Sequence, residues 1–203
     1  LRLADIVTSG PRGVRILPAG SGEQQLTCLD MEQKRLFMEE LEDVQENFNM
    51  ILIDTETGIS ENATYFNIAA REIVIVTTPD LASITDAYSM IKLLAVHYRE
   101  KEFGLLVNMA SSEKEALEVY RKMTKVSSNY LDITINYLGC IPLDKKMRET
   151  LHKQKPIVNL YPNSKSGQAF TSLTQDLLHN VPKSTLKGSL QFFWRRLLPK
   201  AEQ

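Results

Sequence analysis

The residues able to do chemistry in this sequence stand at the ends of apolar runs. Asp54 closes the run from Met50 to Ile53. A carboxylate in that place is the arrangement that holds Mg²⁺, directly or through water, opposite a phosphate loop. A turn-forming Asp at a strand end explains the same local pattern equally well. Thr77 and Thr78 follow Glu72–Val76, Asn108 follows Leu105–Val107, and Pro142 to Asp144 follow Tyr137–Ile141. Ligands of open α/β sheets bind beyond the carboxyl ends of the strands, so these polar positions are the candidates.

Other chemistries find no support. Gly20 and Gly22 in the segment PAGSG read as a flexible loop, because the phosphate-binding pattern GxxxxGK[ST] occurs nowhere in the sequence. There is no GxGxxG, and no serine has the setting of a nucleophile elbow. His97, His152 and His179 are far apart and share no ligand spacing, and Cys28 and Cys140 form no CxxC pair, so no metal site of His and Cys is expected. Both cysteines have apolar neighbours and read as ordinary buried thiols in a reducing compartment.

Strands alternating with helices must position the strand-end residues. Val14–Ala19 reads as a short strand, Met50–Thr55, Glu72–Thr78 and Phe103–Met109 as strands buried on both faces, and Ile133–Ile141 as a longer one with a more polar start. Between them, Asp30–Asn49, Ser83–Arg99, Ser112–Ser128, Lys145–Gln154 and Ser164–Leu178 read as helices, with Asp30 and Gln33 as a capping pair for the first. Leu1–Val7 reads like the tail of a helical turn. This rhythm specifies an α/β fold with a doubly wound, mostly parallel sheet.

The chain of 203 residues is long enough for one sizeable core, and it is 43% hydrophobic and 24% charged with no low-complexity tract. A formal net charge of -1 excludes a whole-protein basic field for gripping nucleic acid. No apolar run approaches the ~20 residues that span a bilayer.

The segments LIDTETGIS, EIVIVTTPDLASITDAYSMIKLL, LLVNMASSEKEALEVY and YLGCIPLDKKMRETLHKQKPIVNLYPNS, with GPRGVRILPAGSG before them, resemble the flagellar-number regulators of the MinD/ParA superfamily (the FlhG, FleN or YlxH family). The resemblance runs from about Leu1 to Leu178. It implies a P-loop NTPase fold and an ATPase that uses ATP and Mg²⁺, forms a homodimer around ATP, and binds membrane in that state. It also implies work with an FlhF-type GTPase and with flagellar basal-body or regulatory proteins, in the cytoplasm and at the inner face of the cell membrane.

By the same resemblance Asp54 organises Mg²⁺ and the attacking water, and Gly58 is the switch glycine behind it. Asn108 reads the adenine edge, Pro142, Leu143 and Asp144 line the base, and Thr78 and Pro79 flank the site. Two departures stand out. The family's KGGxGKT loop, with its strand and helix, has no counterpart, which implies that this segment precedes Leu1 in the intact protein and that the chain alone is inactive. The missing strand would lie mid-sheet between the Met50–Thr55 and Glu72–Thr78 strands, so a rearranged sheet, a swapped strand or a covering dimer is expected. Second, the family's switch DTGAGIS reads DTETGIS here. Glu56 adds a negative charge where a γ-phosphate would lie, which predicts slow or altered hydrolysis.

Residues 1–181 therefore read as the MinD-like domain, 182–189 as a polar linker and 190–203 as a membrane-targeting segment. On a helical wheel Leu190, Phe193, Trp194, Leu197 and Leu198 fall within one arc of about 140°, with Arg195 and Arg196 outside it and Phe192 the exception between the two arginines. Aromatic and leucine side chains opposite arginine are the pattern of an interfacial membrane helix, and docking on protein is the alternative. Two other functions compete with the regulatory ATPase. One is a nucleotide-independent interaction scaffold, favoured by the absent loop and Glu56. The other is a ParA-type DNA-partitioning ATPase, disfavoured by the charge balance.

Overall fold

The computed structural model describes residues 3–18, 36, 40, 48 and 50–179. The glycine loop at Gly20 and Gly22, Cys28, nearly all of the expected helix Asp30–Asn49, the linker and the C-terminal segment lie outside the described residues. The described residues fall into two compact units that divide between Ala69 and Ala70.

The first unit opens with a single helical turn, α1 (Leu3–Ile6), as the start of the sequence leads one to expect. Two short strands, β1 (Thr8–Ser9) and β2 (Arg15–Ile16), then pair antiparallel around a 3₁₀ turn at Pro11–Gly13. Val14–Ala19 was expected to supply a longer strand. Only Arg15 and Ile16 pair, and Val14 and Ile16 are exposed.

The larger correction concerns Met50–Thr55. This run forms no strand, and Met50, Ile51, Leu52 and Ile53 are all exposed, Leu52 by 84%. Apolar composition favours a buried strand, but backbone N–H and C=O groups leave water only where neighbouring strands pair with them. None of the described residues pairs with this segment. The chain then turns at Gly58 (φ 89°) and enters α2 (Glu61–Ala69), which the sequence reading missed. Ser60 caps that helix, its Oγ accepting from Ala63 N at 3.0 Å.

The second unit holds a parallel sheet of β3 (Val74–Thr77), β4 (Glu102–Ala110) and β5 (Thr134–Pro142), in that spatial order. Helices α3 (Leu81–Tyr98) and α4 (Glu113–Tyr130) form the two crossovers and touch each other. Because both connections step the same way across the sheet, right-handed crossovers place both helices on one side of it. The expected parallel α/β architecture is present, with three of the expected strands in the sheet.

The core lies where β4 meets these helices. Phe103, Leu105, Leu106, Val107 and Ala110 of β4 are buried, with Ile91 and Leu94 from α3 and Ala116, Val119 and Met123 from α4. Each large aliphatic side chain removed from water in this way contributes about 1.5–3 kcal/mol. β3 departs from the two-faced burial expected of it. Ile73, Ile75 and Thr77 are buried, whereas Val74 and Val76 are 41% and 55% exposed.

After β5 come α5 (Lys146–Lys153), the short α6 (Ile157–Leu160) and α7 (Lys165–His179), which packs on β5. α7 starts at a close backbone approach. A Cβ on Gly167 would lie 2.4 Å from the Tyr161 carbonyl oxygen and 2.8 Å from that of Pro162.

Candidate functional site

The parallel register aligns three of the candidate segments. Thr77 pairs with Val107, and Asn108 pairs with Ile141, so Thr78, Asn108 and Pro142 arrive together at the carboxyl end of the sheet. This is the end where a parallel α/β sheet receives ligands.

The β3 end is tied down by Ser83, which the local sequence pattern marks only as a helix start. Ser83 Oγ accepts from Thr78 N at 3.0 Å and lies 3.0 Å from Thr77 Oγ1. Asp80 caps α3, its Oδ1 accepting from Ser83 N at 2.9 Å, and Thr78 Oγ1 donates to the other carboxylate oxygen. These bonds, that from Thr78 first, hold the Asp80 carboxyl below the ordinary carboxylate range. Thr78 and Pro79 thus sit in a turn closed at both ends.

The β4 end carries local strain. Met109 has a φ of 57°, a left-handed conformation that costs an L-residue about 1–2 kcal/mol. The register shifts there, between Asn108 and Ala110, so Met109 is the extra residue of a bulge. Asn108 supports the bend, its Oδ1 accepting from Met109 N at 2.9 Å. That leaves Asn108 one lone pair on Oδ1 and a terminal NH₂ to donate, the complement of a base edge carrying a donor and an acceptor.

The β5 end folds back beside it. Leu143 N donates to Ala110 O at 2.8 Å, which seats the Leu143 side chain, 61% exposed, next to the end of β4. Pro142 O accepts from Ser166 Oγ at 2.9 Å. Both Asp144 oxygens are engaged by backbone, Oδ1 by Lys146 N at 2.9 Å and Oδ2 by Ser166 N at 3.3 Å. These bonds, Lys146 foremost, keep the Asp144 carboxyl below its usual range. Asp144 therefore shapes its loop and starts α5, while the exposed Leu143 side chain remains for a ligand.

A second cluster was not anticipated. Tyr137 OH donates to Glu113 Oε1 at 2.8 Å, and the Cys140 thiol donates to Glu113 Oε2 at 3.0 Å. Cys140 is half-buried rather than fully buried as its apolar neighbours suggested. Burial first, and the Glu113 carboxylate second, push its thiol up to about 11. Neither contact has a local signature, because each joins residues more than twenty positions apart.

Asp54 and Gly58 belong to the first unit. Asp54 is exposed on the irregular segment that replaces the expected strand, and Glu56 is exposed beside it. Gly58 holds a φ of 89° with open space where a Cβ would be. Among the described residues no group of three or more His, Cys, Asp or Glu could hold a metal ion. A single carboxylate still fits Mg²⁺, which takes one or two protein carboxylates and fills its other positions with water and phosphate oxygens.

Comparison with known proteins agrees with this fold. The ParA family, described as NUBPL iron-transfer P-loop NTPase, matches residues 18–178. The antiactivator FleN of Pseudomonas aeruginosa is 35% identical over 196 residues, covering 97% of this chain and 70% of FleN. The flagellum site-determining protein YlxH of Helicobacter pylori is 30% identical over 202 residues, covering 97% of this chain and 68% of YlxH. Among solved structures, the MinD cell division protein of Aquifex aeolicus superposes with a TM-score of 0.69 at 21% identity, covering 91% of this chain and 73% of that one. The septum site-determining protein MinD of Pyrococcus horikoshii, complexed with Mg-ADP, superposes at 0.62 and 22% identity, with 91% and 73% covered.

Proposed function

We propose, from the premise that this chain belongs to the MinD/ParA superfamily of P-loop NTPases and within it to the flagellar-number regulators, that the protein is a regulatory ATPase setting flagellar number or placement. The observation that carries the nucleotide part is the alignment of Thr78, Asn108 and Pro142 at the carboxyl end of one parallel sheet. Asn108 reads the adenine edge, and Leu143 with the 142–144 backbone lines the base. Thr78 and Pro79 flank the site. Asp54 holds Mg²⁺, directly or through water, and the ion neutralises phosphate charge. Gly58 supplies the positive-φ turn that follows Asp54.

The finer reading extends to assembly and place. The ATP-bound protein forms a homodimer, and the segment from Leu190 to Leu198 then binds the inner face of the cell membrane. Two weak amphipathic segments on one dimer raise avidity through effective concentration, which couples nucleotide state to location. An FlhF-type GTPase and basal-body or regulatory proteins are the partners this reading calls for.

One observation favours a second reading, a nucleotide-independent scaffold. Glu56 stands, exposed, two residues after Asp54, where it brings negative charge. ATP binding and hydrolysis by the full-length protein, with flagella counted in a strain carrying Asp54→Asn, decide between them. The ATPase reading expects binding, turnover and altered flagellar number in the variant strain. Absence of ATP binding with normal flagellation in the variant strain favours the scaffold.

A further inference from the structure

Ser166 is completely buried at the second position of α7. It makes two bonds to a loop more than twenty residues earlier. Its Oγ donates to the Pro142 carbonyl at 2.9 Å, and its N–H donates to Asp144 Oδ2 at 3.3 Å. A third tie reaches the same loop from the other side, Leu143 N to Ala110 O at 2.8 Å. The three bonds take up the Pro142 carbonyl, the Leu143 amide and the Asp144 carboxylate. What the loop still presents is the exposed Leu143 side chain, held beside the end of β4 that carries Asn108.

We propose that Ser166 is a positioning residue for recognition of the nucleotide base. Resting on the nucleotide reading above, the assignment names a side chain that touches no ligand itself. A buried hydroxyl with a single carbonyl partner fixes that carbonyl's direction, since an unpaired alternative is costly away from water. Turning the Pro142 carbonyl turns the peptide that leads into Leu143, and with it the surface on which a base lies. The phosphate end of a nucleotide makes no demand on this loop. Loss of the Ser166 bond should therefore weaken ligands in proportion to their contact with the base, which a general loosening of the fold would not do.

The test measures binding of ATP and of tripolyphosphate, which has the phosphates without the base, to the full-length wild type and to Ser166→Ala. Thr174→Ala serves as a control, because the Thr174 hydroxyl bonds only within α7, to Phe170 O at 2.8 Å. Ser166→Ala is expected to weaken ATP about three- to tenfold, the size of one hydrogen bond, and to leave tripolyphosphate unchanged. Thr174→Ala is expected to leave both unchanged. Exchange of the Leu143 amide with solvent, measured without ligand, is expected to accelerate in Ser166→Ala and not in Thr174→Ala. Equal losses for ATP and tripolyphosphate, or unaltered ATP binding by a folded Ser166→Ala, overturn the proposal. A wild type that binds tripolyphosphate and ATP equally well overturns the role of the 142–144 loop in the base site. One that binds neither overturns the nucleotide reading itself, and the proposal with it.

Discussion

The Cys140 thiol donates to Glu113 across 3.0 Å, joining the carboxyl end of β5 to the first residue of α4. The same carboxylate receives Tyr137, and burial first, with this glutamate second, keeps both β5 side chains in their protonated forms.

That pairing predicts an unreactive thiol. With Cys140 pushed up to about 11, little thiolate exists at neutral pH. In a Cys28→Ser background, Glu113→Gln is expected to speed reaction of Cys140 with a disulfide reagent at pH 8 several-fold. An unchanged rate would show that burial alone governs the thiol. The pH dependence has a definite sign. A raised folded-state value stabilises the fold below the ordinary thiol range and loses that stabilisation as pH rises through about 11. Wild type and Glu113→Gln should therefore differ most in melting temperature near neutrality and converge in strong alkali.

Gly167 makes a packing prediction. An alanine there must displace backbone oxygens of Tyr161 and Pro162, which lie 2.4 and 2.8 Å from the new methyl group. Overpacking of this kind costs about 1–3 kcal/mol. Gly167→Ala should lower the midpoint of urea unfolding with the denaturant slope unchanged. A midpoint equal to wild type would mean that α7 shifts freely.

Asp80 should show its cap in an acid titration. Its carboxyl is held low chiefly by the Thr78 hydroxyl and then by the Ser83 amide. A depressed value adds stability above the ordinary carboxylate range and loses it as pH falls through the folded-state value. Asp80→Ala is expected to melt about 2–4 °C below wild type at pH 7, and the gap should narrow toward pH 2. A gap that is constant with pH would argue against a charged cap.

Glu56 bears on turnover in the proposed ATPase. Glu56→Gly removes a negative charge near the proposed phosphate position and restores a permissive backbone. Hydrolysis by the full-length protein should rise several-fold, about 1 kcal/mol in barrier height. Identical turnover numbers would remove Glu56 from the account.

Membrane binding is tested by sedimentation with liposomes containing anionic lipid, with ATP present. Trp194→Glu places a charge in the middle of the apolar arc and should abolish co-sedimentation. Equal binding by wild type and variant would leave the segment from Leu190 to Leu198 to a protein partner.

Much of the second unit was legible in the residues themselves. The runs ending at Thr78, Met109 and Ile141 and the helices between them carry local patterns, and each formed within a few residues of its expected bounds. The candidate positions at those ends needed only the rule that parallel strands deliver their carboxyl ends to one side. Capping at Asp80 and Ser112 is local too, since each side chain meets an amide three residues on.

Pairing was the part that only tertiary structure decided. Met50–Thr55 is as apolar as β3, yet β3 is a strand and this run is not, because a strand exists only through its neighbours' hydrogen bonds. Val76 has the composition of a core residue, but its exposure was set by what packs over it. Ser166 on Pro142 and Glu113 on Cys140 span more than twenty residues each, and no periodicity encodes such contacts. Sequence determined which residues could do chemistry and which strand ends would carry them. The fold decided which of those side chains stay free to act, because only in three dimensions are the Asp144 oxygens already taken and one face of the Asn108 amide left open.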